Sequence, residues 1–219
     1  MHAGSNPVSG TANHFYMKIL IIEPYFTGSH KQWAESYKRH SSHNIKILSL
    51  KGQFWKWRMH GGAITLAKMF NAMDWLPDLI FATDMLDLNT FLSLTRNKSN
   101  GIPTAIYFHE NQLSYPWSPD DRDIKNKRDS HYGFINYSSA LAADKVLFNS
   151  KFHMKSFLNS LSPFLKKFPD YQELDTINII KEKSEVLFLG MDLNRFREYA
   201  LRKDSTPNIL WNHRWEYDK

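Results

Sequence analysis

Four consecutive polar side chains, His109, Glu110, Asn111 and Gln112, close the apolar run Thr104 to Phe108. A histidine beside a carboxylate can move a proton or hold a hydroxyl, provided both stand in a crevice. A hydrogen-bonded loop that caps the next helix uses the same residue types, so these four residues alone leave both roles open. Asp84 likewise follows an apolar run, Leu79 to Ala82, and either serves the same crevice or N-caps the helix around Leu88 to Leu94. Gly28-Ser29-His30 lies between a strand and a helix, where free backbone N–H groups can face a phosphate. Gly28 stands without a G-x-G-x-x-G array, so a plain tight turn fits as well. The stretch Lys51 to Gly62 interleaves Trp55 and Trp57 with Lys51, Lys56, Arg58 and His60. Such a loop can stack bases while its cations meet phosphates, or can pack its tryptophans and leave the cations solvated.

Those groups matter only if the backbone brings them together. Lys18–Ile22, Ile45–Leu50, Leu79–Ala82, Thr104–Phe108, Lys145–Phe148 and Glu185–Leu189 read as strands. Ile102-Pro103 sets an extended entry to the fourth, because the residue before a proline is pushed out of the helical region. Helical patterns alternate with these runs: one carries Trp33, Ala34 and Tyr37, another Ala63, Leu66, Ala67, Phe70 and Met73. A third spans His131 to Ala143, and a fourth, capped by Asn149-Ser150, carries Phe157, Leu158 and Leu161. The alternation predicts an α/β fold with a doubly wound, mostly parallel, Rossmann-like sheet. Ligands of such sheets bind outside the carboxyl ends of the strands, where His109, Glu110 and Asp84 fall. The strand pattern ends at Phe108, which predicts that His109 faces the crevice and is cheap to remove thermally. The segment from Leu113 to Ser130 is a long loop of the kind that is usually functional or mobile.

With 219 residues and 42% hydrophobic content, the chain can bury one sizeable core. No apolar run approaches the ~20 residues of a membrane span, so no membrane insertion is expected. There are no cysteines, which excludes disulfides and thiolate chemistry and suits a cytoplasmic protein. A net charge of +6 favours a polyanionic partner. Residues 1–16, rich in Gly, Ser, Asn and Pro, lack the charged and apolar regions of a signal peptide and are expected to be a tag or disordered leader. The main domain is expected over 17–206. Ile209-Leu-Trp211 then reads as a seventh strand, opening a second domain over 207–219.

Val186-Leu-Phe-Leu-Gly-Met-Asp-Leu-Asn-Arg-Phe196 resembles the segment that closes the first domain of retaining GT-B glycosyltransferases of the large sucrose-synthase-like family. Asn212-His-Arg-Trp-Glu-Tyr-Asp-Lys219 resembles the opening of their second domain, where an Arg and a Lys hold the donor diphosphate; Arg214 and Lys219 match. The words Gly28-Ser-His-Lys31, Tyr107-Phe-His-Glu-Asn-Gln-Leu113, Phe148-Asn-Ser150 and Asn212-His-Arg-Trp-Glu216 look closer still to the tRNA-queuosine alpha-mannosyltransferases. The resemblance runs from Met17 to the end of the chain.

The resemblance implies transfer of mannose from GDP-mannose to queuosine in tRNA, with retained configuration and no metal or other cofactor. His109 would contact the donor sugar, with Glu110 beside it. Gly28, Ser29, His30, Arg214 and Lys219 would serve the donor. Asp84, Asn111, Gln112 and the basic aromatic stretch with Lys51, Trp55, Lys56, Trp57 and Arg58 would serve the acceptor. Most donor contacts in the family come from the second domain, so this chain alone is expected to lack full activity. Two other functions fit the same residues: a GT-B enzyme with a lipid or saccharide acceptor, and a non-catalytic nucleotide- or RNA-binding module.

Overall fold

The computed structural model describes residues 16–118, 121, 123, 131–191, 193 and 194. The seventh strand, Arg214 and Lys219 lie outside the described residues. Six strands form one parallel sheet: β1 (Lys18–Phe26), β2 (Asn44–Lys51), β3 (Leu79–Thr83), β4 (Thr104–Phe108), β5 (Lys145–Phe148) and β6 (Ser184–Val186). Their order across the sheet is β2-β1-β3-β4-β5-β6. The helices are α1 (Gly28–His40), α2 (Trp55–Asn71), α3 (Leu88–Ser99), α4 (His131–Ala142), α5 (Lys151–Leu165) and α6 (Thr176–Glu182). The chain steps from β1 out to β2, then returns past β1 to β3 and continues in the opposite direction. The order therefore reverses at β1 and β3, the place where such sheets open a crevice at the strands' carboxyl ends.

Alternate residues of each strand feed opposite faces, as the two-residue period requires. Leu20, Ile22, Ile80, Ala82, Ile106, Phe108, Val146 and Phe148 join one core with Leu66, Phe70, Phe91, Ala140 and Phe157 of α2 to α5. Ile19, Ile21, Phe81, Ala105 and Tyr107 face the other way, where α1 contributes Trp33 and Ala34. The Trp33 and Tyr107 rings stack there at 4.9 Å and 12°, so α1 packs on the side of the sheet nearest β1.

Three local readings are corrected. Helix α2 starts at Trp55 rather than at Ala63, so most of the aromatic-basic stretch is helix; Gly61 and Gly62 are buried within it. A Cβ on Gly61 would lie 2.6 Å from the Trp57 ring, so that indole lies along the helix one turn back. Helix α3 is capped by Asp87, which accepts from Thr90 N at 3.0 Å, not by Asp84. The sixth strand is short, Ser184–Val186, because the chain leaves the sheet edge after Val186; Leu187 N still bonds the Phe148 carbonyl. The cap on α5 is as expected, with Ser150 accepting from His153 N at 3.1 Å.

Candidate active site

Three strand ends meet at the crevice. Glu23 lies near the end of β1, Asp84 directly after β3, and His109 directly after β4. The parallel register puts Thr83 beside Tyr107, so Asp84 and His109 emerge as neighbours. Gly28 has φ +50, a backbone conformation that favours glycine, and it turns the chain so that His30 points back at the strand ends.

Each histidine is backed by a carboxylate. His30 Nδ1 lies 3.0 Å from Glu23 Oε2, and Glu23 is fully buried. Burial works against the imidazolium. The Glu23 hydrogen bond and charge outweigh it, Asp84 and Glu110 add to them, and the pKa is pushed up to about 9. His30 is therefore a cation at neutral pH. Asp84, also buried, accepts from His109 N at 2.9 Å, and His109 Nδ1 stands 3.4 Å from the same oxygen. Burial alone would raise the Asp84 pKa. The ring and N–H of His109 and the charge on His30 overcome that and hold it below the ordinary value. The two imidazoles pack at 4.4 Å, and Trp33 meets the His109 ring edge-on at 4.6 Å.

Neither ring nitrogen of His109 has a hydrogen-bond partner among the described residues, although both are buried; Nδ1 stands at ion-pair distance from Asp84, and Nε2 has no such neighbour. An imidazole nitrogen left this way at a crevice is placed to meet a ligand hydroxyl. The expectation that His109 is cheap to remove is corrected: its side chain is only 11% exposed, wedged between Trp33, Tyr107 and His30.

The polar tip is clamped from beneath. Asn136 of α4 accepts from Gln112 N at 2.7 Å and donates to the Asp84 carbonyl at 2.8 Å. Asn149 donates to the His109 carbonyl at 2.8 Å and bonds His153 Nδ1 through its own oxygen at 3.0 Å. Asn111 turns inward, its Oδ1 accepting from the backbone N–H of Leu113 and Ser114. Its side chain thus shapes the turn, while Glu110 and Gln112 line a cavity of about 570 Å³. Gly28, Ser29, His30 and Trp55 line the same cavity. Trp57 is 63% exposed and stands outside it.

Among the cations, Lys56 is engaged by Asp121 and Asp123, each at 2.5 Å. Arg58 Nε donates to the Lys51 carbonyl at 3.0 Å, and Lys51, the last residue of β2, is exposed. Glu23, Asn136 and Asn149 escaped the sequence reading. The signal for Glu23 was a carboxylate closing an apolar run, the pattern that drew attention to Asp84. Asn149 carried only the signal of a helix cap, and Asn136 carried none.

One atom each of Glu23, His30 and His109 lies within 4.8 Å of the others, close enough to hold a metal ion. The raised pKa of His30 means that a metal would first have to displace a proton from the Glu23–His30 pair.

The family model described as tRNA-queuosine alpha-mannosyltransferase N-terminal matches residues 18–191. The tRNA-queuosine alpha-mannosyltransferase of Drosophila melanogaster is 36% identical over 211 residues, covering 92% of this chain and 54% of that protein. The chain thus spans about half the length of this curated relative.

Proposed function

The chain belongs to the tRNA-queuosine alpha-mannosyltransferase family through its N-terminal domain, and from that premise we propose that the full-length protein transfers mannose from GDP-mannose to queuosine in tRNA. The C1–O bond to the diphosphate breaks, and a C1–O bond to a queuosine hydroxyl forms with retained configuration. The hydroxyl proton leaves with the diphosphate. This chain supplies the acceptor side.

The observation that carries the reading is the pair of carboxylate-backed histidines at the reversal of strand order. His109 Nε2, unpartnered within the described residues, meets the donor sugar. The His30 imidazolium, at the start of α1, stabilises negative charge developing on the leaving diphosphate. Glu110, at the edge of the cavity, faces the acceptor. Arg214 and Lys219 complete the diphosphate site from the second domain. We assign no metal, because the cation nearest the leaving group is already the His30 imidazolium. No helix among the described residues is long and apolar enough to cross a membrane, and a tRNA acceptor sets the reaction in the cytoplasm.

Incubating the full-length protein with GDP-mannose and tRNA, with or without queuosine, tests this directly. Nucleoside mass analysis should find a hexose added to queuosine alone. A hexose on lipid or free saccharide, with queuosine untouched, would overturn it.

A further inference from the structure

The start of α2 breaks three local rules at one residue. Phe54 is the N-cap, a position that favours a small polar side chain able to accept from the first helical N–H groups, and its side chain makes no such bond. Its backbone is left-handed, at φ 52 and ψ 58, a conformation that is costly for a bulky residue. Its ring is 76% exposed, so burial offsets little of that cost. Departures of this kind without a packing reason mark residues kept for contact with something outside the fold.

Trp57 stands three positions on and is 63% exposed. Its indole lies against Gly61 one turn further along, so it is backed on the helix side and open outward. Both rings stand at the rim of the crevice. Trp55, between them in sequence, lines the cavity at the strand ends, and Gly52 presses against Thr27, another residue of that lining. From Ser36 to Met73, which takes in the end of α1 and all of β2 and α2, the sequence has no Asp or Glu. Lys38, Arg39, Lys46, Lys51 and Lys68 of this stretch are exposed. Cations without acidic neighbours in sequence suit a phosphate backbone, and aromatic rings open to solvent suit the faces of unpaired bases. A lipid surface fits less well, because α2 turns its long apolar face, Met59 to Phe70, into the core.

We propose that Phe54 and Trp57 form a stacking platform, outside the cavity, for unpaired bases in the loop of the acceptor RNA, with Lys51 meeting an adjoining phosphate. The proposal rests on the transfer reading above and deepens it: the platform holds the RNA loop at the rim while its modified nucleoside reaches the histidines. Bases inside a duplex are already stacked on one another, so the platform selects single-stranded RNA. The left-handed backbone at Phe54 is what turns that ring away from the core and toward the RNA.

The test measures binding of the full-length protein, without donor, to a hairpin RNA with an unpaired loop and to a blunt duplex of the same stem. Phe54→Gly removes the ring and relieves the backbone together. It should bind the hairpin about tenfold more weakly, the scale of one lost base stack, while its melting temperature stays level or rises. The slope of affinity against salt should stay as in the wild type, because stacking releases no counterions. Trp57→Ala should weaken hairpin binding by a similar factor, and neither variant should alter duplex binding. Hairpin affinity unchanged in both variants, or an equal fall in duplex affinity, would overturn the proposal. So would a melting temperature that drops by several degrees in Phe54→Gly, which would make the ring part of the packing. Vesicles of phosphatidylcholine and phosphatidylserine are the control: if either variant abolishes binding to them and leaves hairpin affinity intact, the rings belong to a membrane surface and the proposal falls. The transfer assay fails separately. A hexose on queuosine, with normal hairpin binding by both variants, removes the platform alone. Hairpin binding weakened as expected, with no hexose on any tRNA, removes the transfer reading and upholds the platform.

Discussion

Replacing Glu23 by Gln removes the buried charge that keeps His30 protonated. With the folded pKa near 9 and the ordinary value at 6.5, the native state binds the extra proton between those limits. Stability from this pair is therefore fully present below pH 6.5 and is lost as pH rises toward 9. The full span is worth at most about 3 kcal/mol. Denaturant unfolding across that window should show the decline in the wild type and a flatter profile in Glu23→Gln; equal slopes would remove the dyad. His109→Ala should lower turnover by at least ~100-fold, the lower end for a positioned catalytic group. Its packed ring also makes the change costly to stability, by about 2–4 kcal/mol, the scale of aromatic truncation. The melting temperature should fall by roughly 2–4 °C for each of those kcal/mol. Intact specific activity in the surviving folded fraction would make the ring structural only.

At the scale of elements, the caps and the start of α2 separate packing from function. Asp87→Ala removes one side-chain cap from α3 and should cost about 1 kcal/mol without touching the crevice. Asp84→Ala removes a buried carboxylate that His109 and His30 both lean on and should cost roughly 3 kcal/mol or more, with loss of turnover. If the two variants cost the same, the assignment of caps is wrong. In the first turn of α2, Lys56 is held by two aspartates, whereas Lys51, at the end of β2, is exposed. Lys51→Ala should reduce the salt slope of tRNA binding by about one phosphate contact, a change in log–log slope of roughly 0.7–0.9. Lys56→Ala should leave the slope nearly unchanged and loosen the cavity wall. The reverse result would make Lys56 the phosphate ligand.

For the whole molecule, the question is how the sheet's crevice meets the diphosphate. The histidines stand at the carboxyl ends of the strands, and the proposed diphosphate cations, Arg214 and Lys219, fall in the expected second domain. Arg214→Ala in the full-length protein should lower turnover by about 10²–10³, the scale for losing one preorganised charge donor. Urea unfolding of this first domain should be unaffected, because the crevice is assembled from the ends of β1, β3 and β4 together with α1, α2 and α4. Unchanged kinetics would take Arg214 out of the site.

By itself the sequence determined the fold class and marked the sheet edge where the candidate site is proposed. Six apolar runs alternating with helical patterns specify a parallel α/β sheet, since a strand buried on both faces needs a helical crossover to its next parallel neighbour. A polar cluster after Phe108 and an aspartate after Thr83 mark the strands' carboxyl ends, and both proved to be at the crevice. Only the tertiary structure decided what each polar residue does there. The choice of Asp87 over Asp84 as cap depends on the neighbouring β4 presenting the His109 N–H to Asp84, a contact 25 residues distant in sequence. Glu23 acquires its role because α1 turns His30 back onto β1, and Lys56 loses its apparent freedom to Asp121 and Asp123, more than 60 residues away. Period and composition are local and survive in one dimension. Charge state, cap choice and cavity lining are set by neighbours that meet only when the sheet forms.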